Sequence, residues 1–91
     1  MNPKSLVEHL RGFDRWEDFE TLGARVRLDR EVTVLEVLDG PDMRILECRF
    51  RDRRFSLVCD DPYGHELRAH PGNEIHLYDL ARRLEKGVAS P

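Results

Sequence analysis

The stretch from Glu31 to His70 constrains this chain most, because runs of β-branched and alternating apolar residues are cut there at short intervals by turn-forming residues. Glu31 to Leu38 (Glu-Val-Thr-Val-Leu-Glu-Val-Leu) carries apolar side chains at both parities of the two-residue strand repeat, which predicts a strand with two partly apolar faces. Asp39-Gly40-Pro41-Asp42 then combines a residue free to take positive φ, a locked proline and two short acceptors, so the chain should reverse there. From Met43 to Phe50 the alternation sets Leu46, Cys48 and Phe50 on one face and Met43, Ile45, Glu47 and Arg49 on the other.

Two further reversals complete the meander. Arg51-Asp52-Arg53-Arg54 is a polar break without glycine, after which Phe55, Leu57 and Cys59 resume the alternation. With Phe50 facing Phe55, Cys48 facing Leu57 and Leu46 facing Cys59, six apolar residues join into one cross-strand surface, the expected core. Asp61-Pro62-Tyr63-Gly64-His65 fits a three-residue hairpin loop with Gly64 in the left-handed position, which sets Leu67 and Ala69 opposite Cys59 and Leu57.

The flanks read as helices. Asn2 and Pro3 can open a first helix carrying Leu6, Val7 and Leu10 and ending at Gly12. Asp14 with Glu17 suggests the capping box of a short second helix bearing Trp16, Phe19 and Leu22, which Gly23 would terminate. Residues 24–28 (Ala-Arg-Val-Arg-Leu) alternate as an edge strand does. Downstream, Asn73 caps a helix running to about Lys86, with Ile75, Leu77, Tyr78, Leu80, Ala81 and Leu84 facing inward and Gly87 as its stop. The expected fold is a single α+β domain over 1–91. Its two layers are an antiparallel four- or five-stranded β-meander and N-terminal and C-terminal helices packed mainly on one face.

Composition narrows the class. With 40% hydrophobic and 36% charged residues, the 91-residue chain is neither disordered nor fibrous, and no apolar run approaches the roughly 18 residues of a membrane span. Glu8 and His9 interrupt any secretion-signal core, so the cytoplasm is the expected compartment, and membrane partners are not expected. Cys48 and Cys59 are there expected to stay reduced as core thiols, diagonal neighbours on adjacent strands.

Three surfaces invite a functional reading. The second sheet face gathers Val32, Val34, Leu38, Met43, Ile45 and Val58 among Glu36, Glu47 and Arg49, more clustered apolar surface than a small monomer leaves in water. This points to a non-catalytic protein-interaction or regulatory domain that self-associates as a homodimer through Val34, Leu38, Met43, Ile45 and Val58, or is covered there by another protein. Arg49, Arg51, Arg53 and Arg54, with Phe50 and Phe55 interleaved, form a candidate anion or nucleic-acid patch. Against it, 15 basic residues are outnumbered by 18 acidic ones, for a net charge of −3. His65, His70 and His76 lie near Asp60, Asp61 and Glu66, the raw material of a small metal-dependent enzyme. His65 and His70, however, are five apart and point to opposite faces of a regular strand. Ser5, Ser56 and Ser90 lack a nucleophile-elbow context and no glycine-rich phosphate loop occurs, so neither a catalytic residue nor a cofactor is assigned.

Overall fold

The computed structural model describes residues 7–60, 64–70 and 77–86. The elements are β1 (Val7–His9), α1 (Asp18–Leu28), β2 (Val32–Asp39), β3 (Met43–Phe50), β4 (Arg53–Asp60), β5 (Gly64–Ala69) and α2 (Leu77–Lys86). The five strands form one antiparallel sheet in the order β1-β5-β4-β3-β2, with β2 to β5 as the meander and β1 added at its far edge. Leu46, Cys48, Phe50, Phe55, Leu57, Cys59 and Leu67 share one sheet face and are buried together with Phe19, Leu22 and Val26 of α1 and Leu77, Leu80, Ala81 and Leu84 of α2. Each helix contributes an i, i+3, i+4, i+7 type stripe, the spacing that puts side chains on one side of a 3.6-residue helix. Both helices therefore cover the same face, and the architecture is α+β in two layers. No described helix is long and apolar enough to cross a membrane.

The reversal between β3 and β4 is tighter than the alternation alone suggests. Phe50 stands opposite Arg53, so the loop is only Arg51-Asp52, and both take positive φ (49° and 64°) as a two-residue hairpin turn of the primed type requires. Cys48 consequently faces Phe55 and Leu46 faces Leu57, not Leu57 and Cys59 as expected. The same two-residue correction applies across β4 and β5, where Leu57 faces Leu67 and Phe55 faces Ala69. Both shifts are by two, so the residues of β3, β4 and β5 keep their expected faces and the six expected core residues stay together. Gly64 has the left-handed φ of 88° expected of it, while 61–63 lie outside the described residues.

The N-terminal half departs further. Residues 7–9, expected in a helix, form β1 against β5, with Val7 opposite Arg68 and His9 opposite Glu66. Pairing satisfies the backbone edge that β5 would otherwise expose, a gain that a short isolated helix cannot match. Of the stripe expected there, Leu10 enters the core and Val7 is 51% exposed; Leu6, with the Asn2 and Pro3 cap, lies outside the described residues. Gly23 does not end a helix. It is buried inside α1, where an added Cβ would stand 3.4 Å from Leu46 Cδ1 and 3.0 Å from an Arg27 nitrogen, so its lack of a side chain lets α1 approach β3 closely. The helix then continues through 24–28, read as an edge strand, because Val26 completes the stripe begun by Phe19 and Leu22.

Long-range ion pairs and hydrogen bonds tie the layers at their rims. Arg25 of α1 donates to the carbonyls of Leu84 (2.7 Å) and Glu85 (3.1 Å), capping the C-terminal end of α2 with a cation where the helix dipole is negative. Arg83 of α2 meets Asp29 (2.9 Å) and Glu31 (3.1 Å), and Glu31 in turn holds Arg51 of the β3–β4 turn (2.5 Å).

Candidate functional site

No described element packs against the opposite sheet face, the open face, although Ser56 and Val58 on it are buried. Register lays out its side chains in rows across the strands. Leu38, Ile45, Val58 and Glu66 form one row, and Glu36, Glu47, Ser56 and Arg68 the next. Thr33, Arg49 and Arg54 form a third, with His70 beside Arg54 through the His70 N–H to Arg54 carbonyl bond of 3.3 Å. Met43 and Asp60 lie beyond the apolar row.

This map alters the apolar set. Val32 and Val34, assigned to the open face from alternation, stand opposite Phe50 and Cys48 and pack with the core. The cause is a bulge between Val34 and Glu36, which inserts Leu35 and exchanges the faces of everything after it. Leu38 therefore reaches the open face and Val37 the helix side, where it stands opposite Leu46. Val58 is on the open face but only 2% exposed, so it acts as a floor for the surface and not as a contact. Leu38 is 43% exposed, with Met43 and Ile45 half-buried beside it, and the bulge leaves Leu35 (40%) and Val37 (49%) in solvent at the same corner. The exposed apolar surface is thus the distal part of the β2–β3 hairpin, apolar on both sides.

One polar cluster sits beside it. Ser56 Oγ donates to Glu47 Oε1 (2.7 Å) and lies 3.0 Å from His70 Nε2, while Glu47 Oε2 lies 2.9 Å from that same nitrogen. Serine, histidine and carboxylate are brought together, yet not as a nucleophile relay. Such a relay needs the hydroxyl on one ring nitrogen and the carboxylate on the other, whereas here both converge on Nε2 and the hydroxyl's proton is directed at the carboxylate. The approach of Nε2 to Oε2 is close but misaligned, so Oε2 is left without a hydrogen bond among the described residues. The cluster fastens β3, β4 and the end of β5 to one another.

The four arginines of the hairpin do not line one face. Arg51 is held by Glu31 at 2.5 Å and lies over the Phe50 ring, 4.8 Å from its centroid. Arg53, opposite Phe50, belongs to the helix side, and Arg49 and Arg54 stand opposite each other on the open face. Arg54 has Glu47 at 3.7 Å, and Arg49 has no ion pair among the described residues.

The histidines do not converge. His65 is fully buried on the helix side, stacked on Phe19, and its Nδ1 donates to the Phe13 carbonyl at 2.9 Å. A carbonyl only accepts, which fixes the proton on Nδ1 and leaves Nε2 buried without a partner among the described residues. Burial holds its pKa below the ordinary imidazole value, against the opposing pull of the Phe13 carbonyl and of Asp18 and Asp14. His70 is on the other face, and His76 lies outside the described residues. No group of three metal-ligating side chains occurs among the described residues. Both cysteines are buried and neither is in a disulfide. Cys59 stands opposite Arg44 and Cys48 opposite Phe55, so the thiols are further apart than the diagonal neighbours expected, and burial pushes the Cys48 thiol up to about 12.

Sequence reasoning missed His65 as a core residue and Leu35 and Val37 as exposed ones. The first had a signal in its position, one residue after the loop glycine on the parity of Leu67. The bulge had none. No family model, no curated protein and no solved structure matches this chain.

Proposed function

We propose that the chain is a small non-catalytic interaction domain of the cytoplasm that pairs with a second copy of itself through the open face of its sheet. The observation that supports this reading is the apolar corner in which Leu35, Val37 and Leu38 are exposed beside the half-buried Met43 and Ile45, and over which no described element lies. Burying such a corner recovers about 25 cal/mol for each Å² removed from water, and a two-fold axis covers the same patch on both copies at once. Val58 beneath it is already out of solvent, which gives the contact a packed floor. The Ser56 hydroxyl, turned to Glu47, offers no activated nucleophile.

Native mass by light scattering tests the reading. The wild-type chain is expected to run as a dimer over a wide range of protein concentration and to be insensitive to salt, since apolar contacts are not screened. Ile45→Glu places a charge at the centre of the corner and is expected to give the monomer mass with an unchanged far-ultraviolet spectrum. A dimer that persists in this variant, or a wild-type monomer at every concentration, overturns it.

A further inference from the structure

The Arg49–Arg54 pair is not absorbed by an apolar interface. The two arginines stand directly opposite each other across β3 and β4, at the end of the open face away from Leu38 and Met43. Directly opposed side chains have Cβ atoms about 5 Å apart, and like charges so placed repel, which makes the pair a cost to the isolated fold. Thr33 flanks it on β2, and His70 flanks it at the end of β5. Thr33 and both arginines are hydrogen-bond donors, and the two guanidinium groups bring up to five N–H donors each, whereas the His70 Nε2 is turned to Glu47 and Ser56.

The acidic groups nearby neutralise it only in part: Arg54 has an ion pair with Glu47, and Arg49 has none among the described residues. Glu36 and Glu47 belong to the adjacent row. Glu47 accepts from Ser56 at 2.7 Å, lies 2.9 Å from the His70 Nε2, and forms with Arg54 an ion pair of 3.7 Å, too long for a hydrogen bond. Glu36 forms no ion pair with Arg49 among the described residues. The Arg54 side chain remains 49% exposed.

We infer that Arg49 and Arg54 together seat a phosphate-type oxyanion, with the Thr33 hydroxyl at its flank. A tetrahedral oxyanion presents enough oxygens to take one fork from each guanidinium and removes their mutual repulsion, where a single carboxylate serves one fork. The anion draws Arg54 away from Glu47, whose carboxylate keeps its bond from Ser56. This site is separate from the apolar corner, and either can fail without the other.

The Nε–H resonances of the arginine side chains, followed by NMR while inorganic phosphate replaces chloride at constant ionic strength, provide the test. Saturable shifts of Arg49 and Arg54 are expected. Arg49→Gln and Arg54→Gln should each weaken binding about tenfold or more, the loss of one charge-assisted contact, and Arg53→Gln, on the other side of the sheet, should leave it unchanged. Shifts that do not saturate, or an Arg49→Gln variant that binds phosphate as the wild type does, overturn the site. A parallel titration with O-phosphoserine distinguishes the sources: tighter binding than inorganic phosphate assigns the seat to phosphorylated side chains, weaker binding to the free ion.

Discussion

At the scale of single residues, two positions hold conformations that their side chains disfavour. Arg51 and Asp52 both carry positive φ at the β3–β4 turn, a region costing an ordinary L-residue roughly 1–2 kcal/mol. Arg51 recovers part of this through Glu31, and Asp52 has no such contact among the described residues. Asp52→Gly is therefore expected to raise stability by about 1 kcal/mol, seen as a higher urea midpoint at unchanged slope; a lower midpoint would mean that the aspartate does something the turn geometry does not reveal. His65 is a case of a different kind, a titratable ring held in the core. Its native pKa is held down by burial, so below about pH 6.5 the unfolded chain binds a proton that the native state refuses, and stability falls as pH falls through that value. His65→Asn keeps a donor for the Phe13 carbonyl but cannot titrate. It should flatten the loss of stability between about pH 7 and pH 5, and an unchanged slope would place the titration elsewhere.

At the scale of elements, the sheet and helices are joined by charges drawn from loops. Glu31, between α1 and β2, receives both Arg51 from the β3–β4 turn and Arg83 from α2. The hydrogen bonds from Arg51 and then Arg83 hold its carboxyl down at about 2, from an ordinary 4.5. A carboxyl depressed in the native state stabilises above its unfolded pKa and loses that contribution as the native pKa is approached. The contribution should be complete above pH 4.5 and disappear toward pH 2. Glu31→Gln is expected to be less stable than wild type above pH 4.5 and to lack this loss across the window, so that wild type and variant converge at low pH; curves that stay parallel would show that Glu31 does not carry the dependence.

At the scale of elements, too, sequence and structure part company for stated reasons. The strands of the meander were legible because alternation is a local property, and α2 because Leu77, Leu80, Ala81 and Leu84 repeat at helical spacing. The first segment was not. Val7–His9 pairs with β5, some sixty residues away in the chain, and its strand conformation comes from that partner's free edge. Gly23 reads as a stop in sequence and serves as a close contact in space, a distinction that depends on Leu46 of β3.

At the scale of the whole molecule, the radius of gyration is 12.2 Å, near the value of about 12 Å that a compact chain of this length should have. A face-to-face pair would exceed it, so small-angle scattering offers an independent reading of the dimer. Dimerisation would also make the melting temperature rise with protein concentration, because the partner binds only the folded state. Of the surface expected to mediate it, Leu38, Met43 and Ile45 were legible from alternation. Val34 was misplaced and Leu35 and Val37 overlooked, since one bulge reverses the faces of the strand beyond it.

The amino-acid sequence by itself determined the fold class, the four-stranded meander, the C-terminal helix and the buried face of β3 and β4. These follow from periodicity, and a register error of two residues leaves periodicity intact. Only the tertiary structure decided the fifth strand, the length of α1, the tight Arg51-Asp52 turn and the division of the hairpin arginines between two faces. Each of these depends on a partner distant in the chain or on a backbone irregularity, and neither leaves a local repeat for the sequence to display.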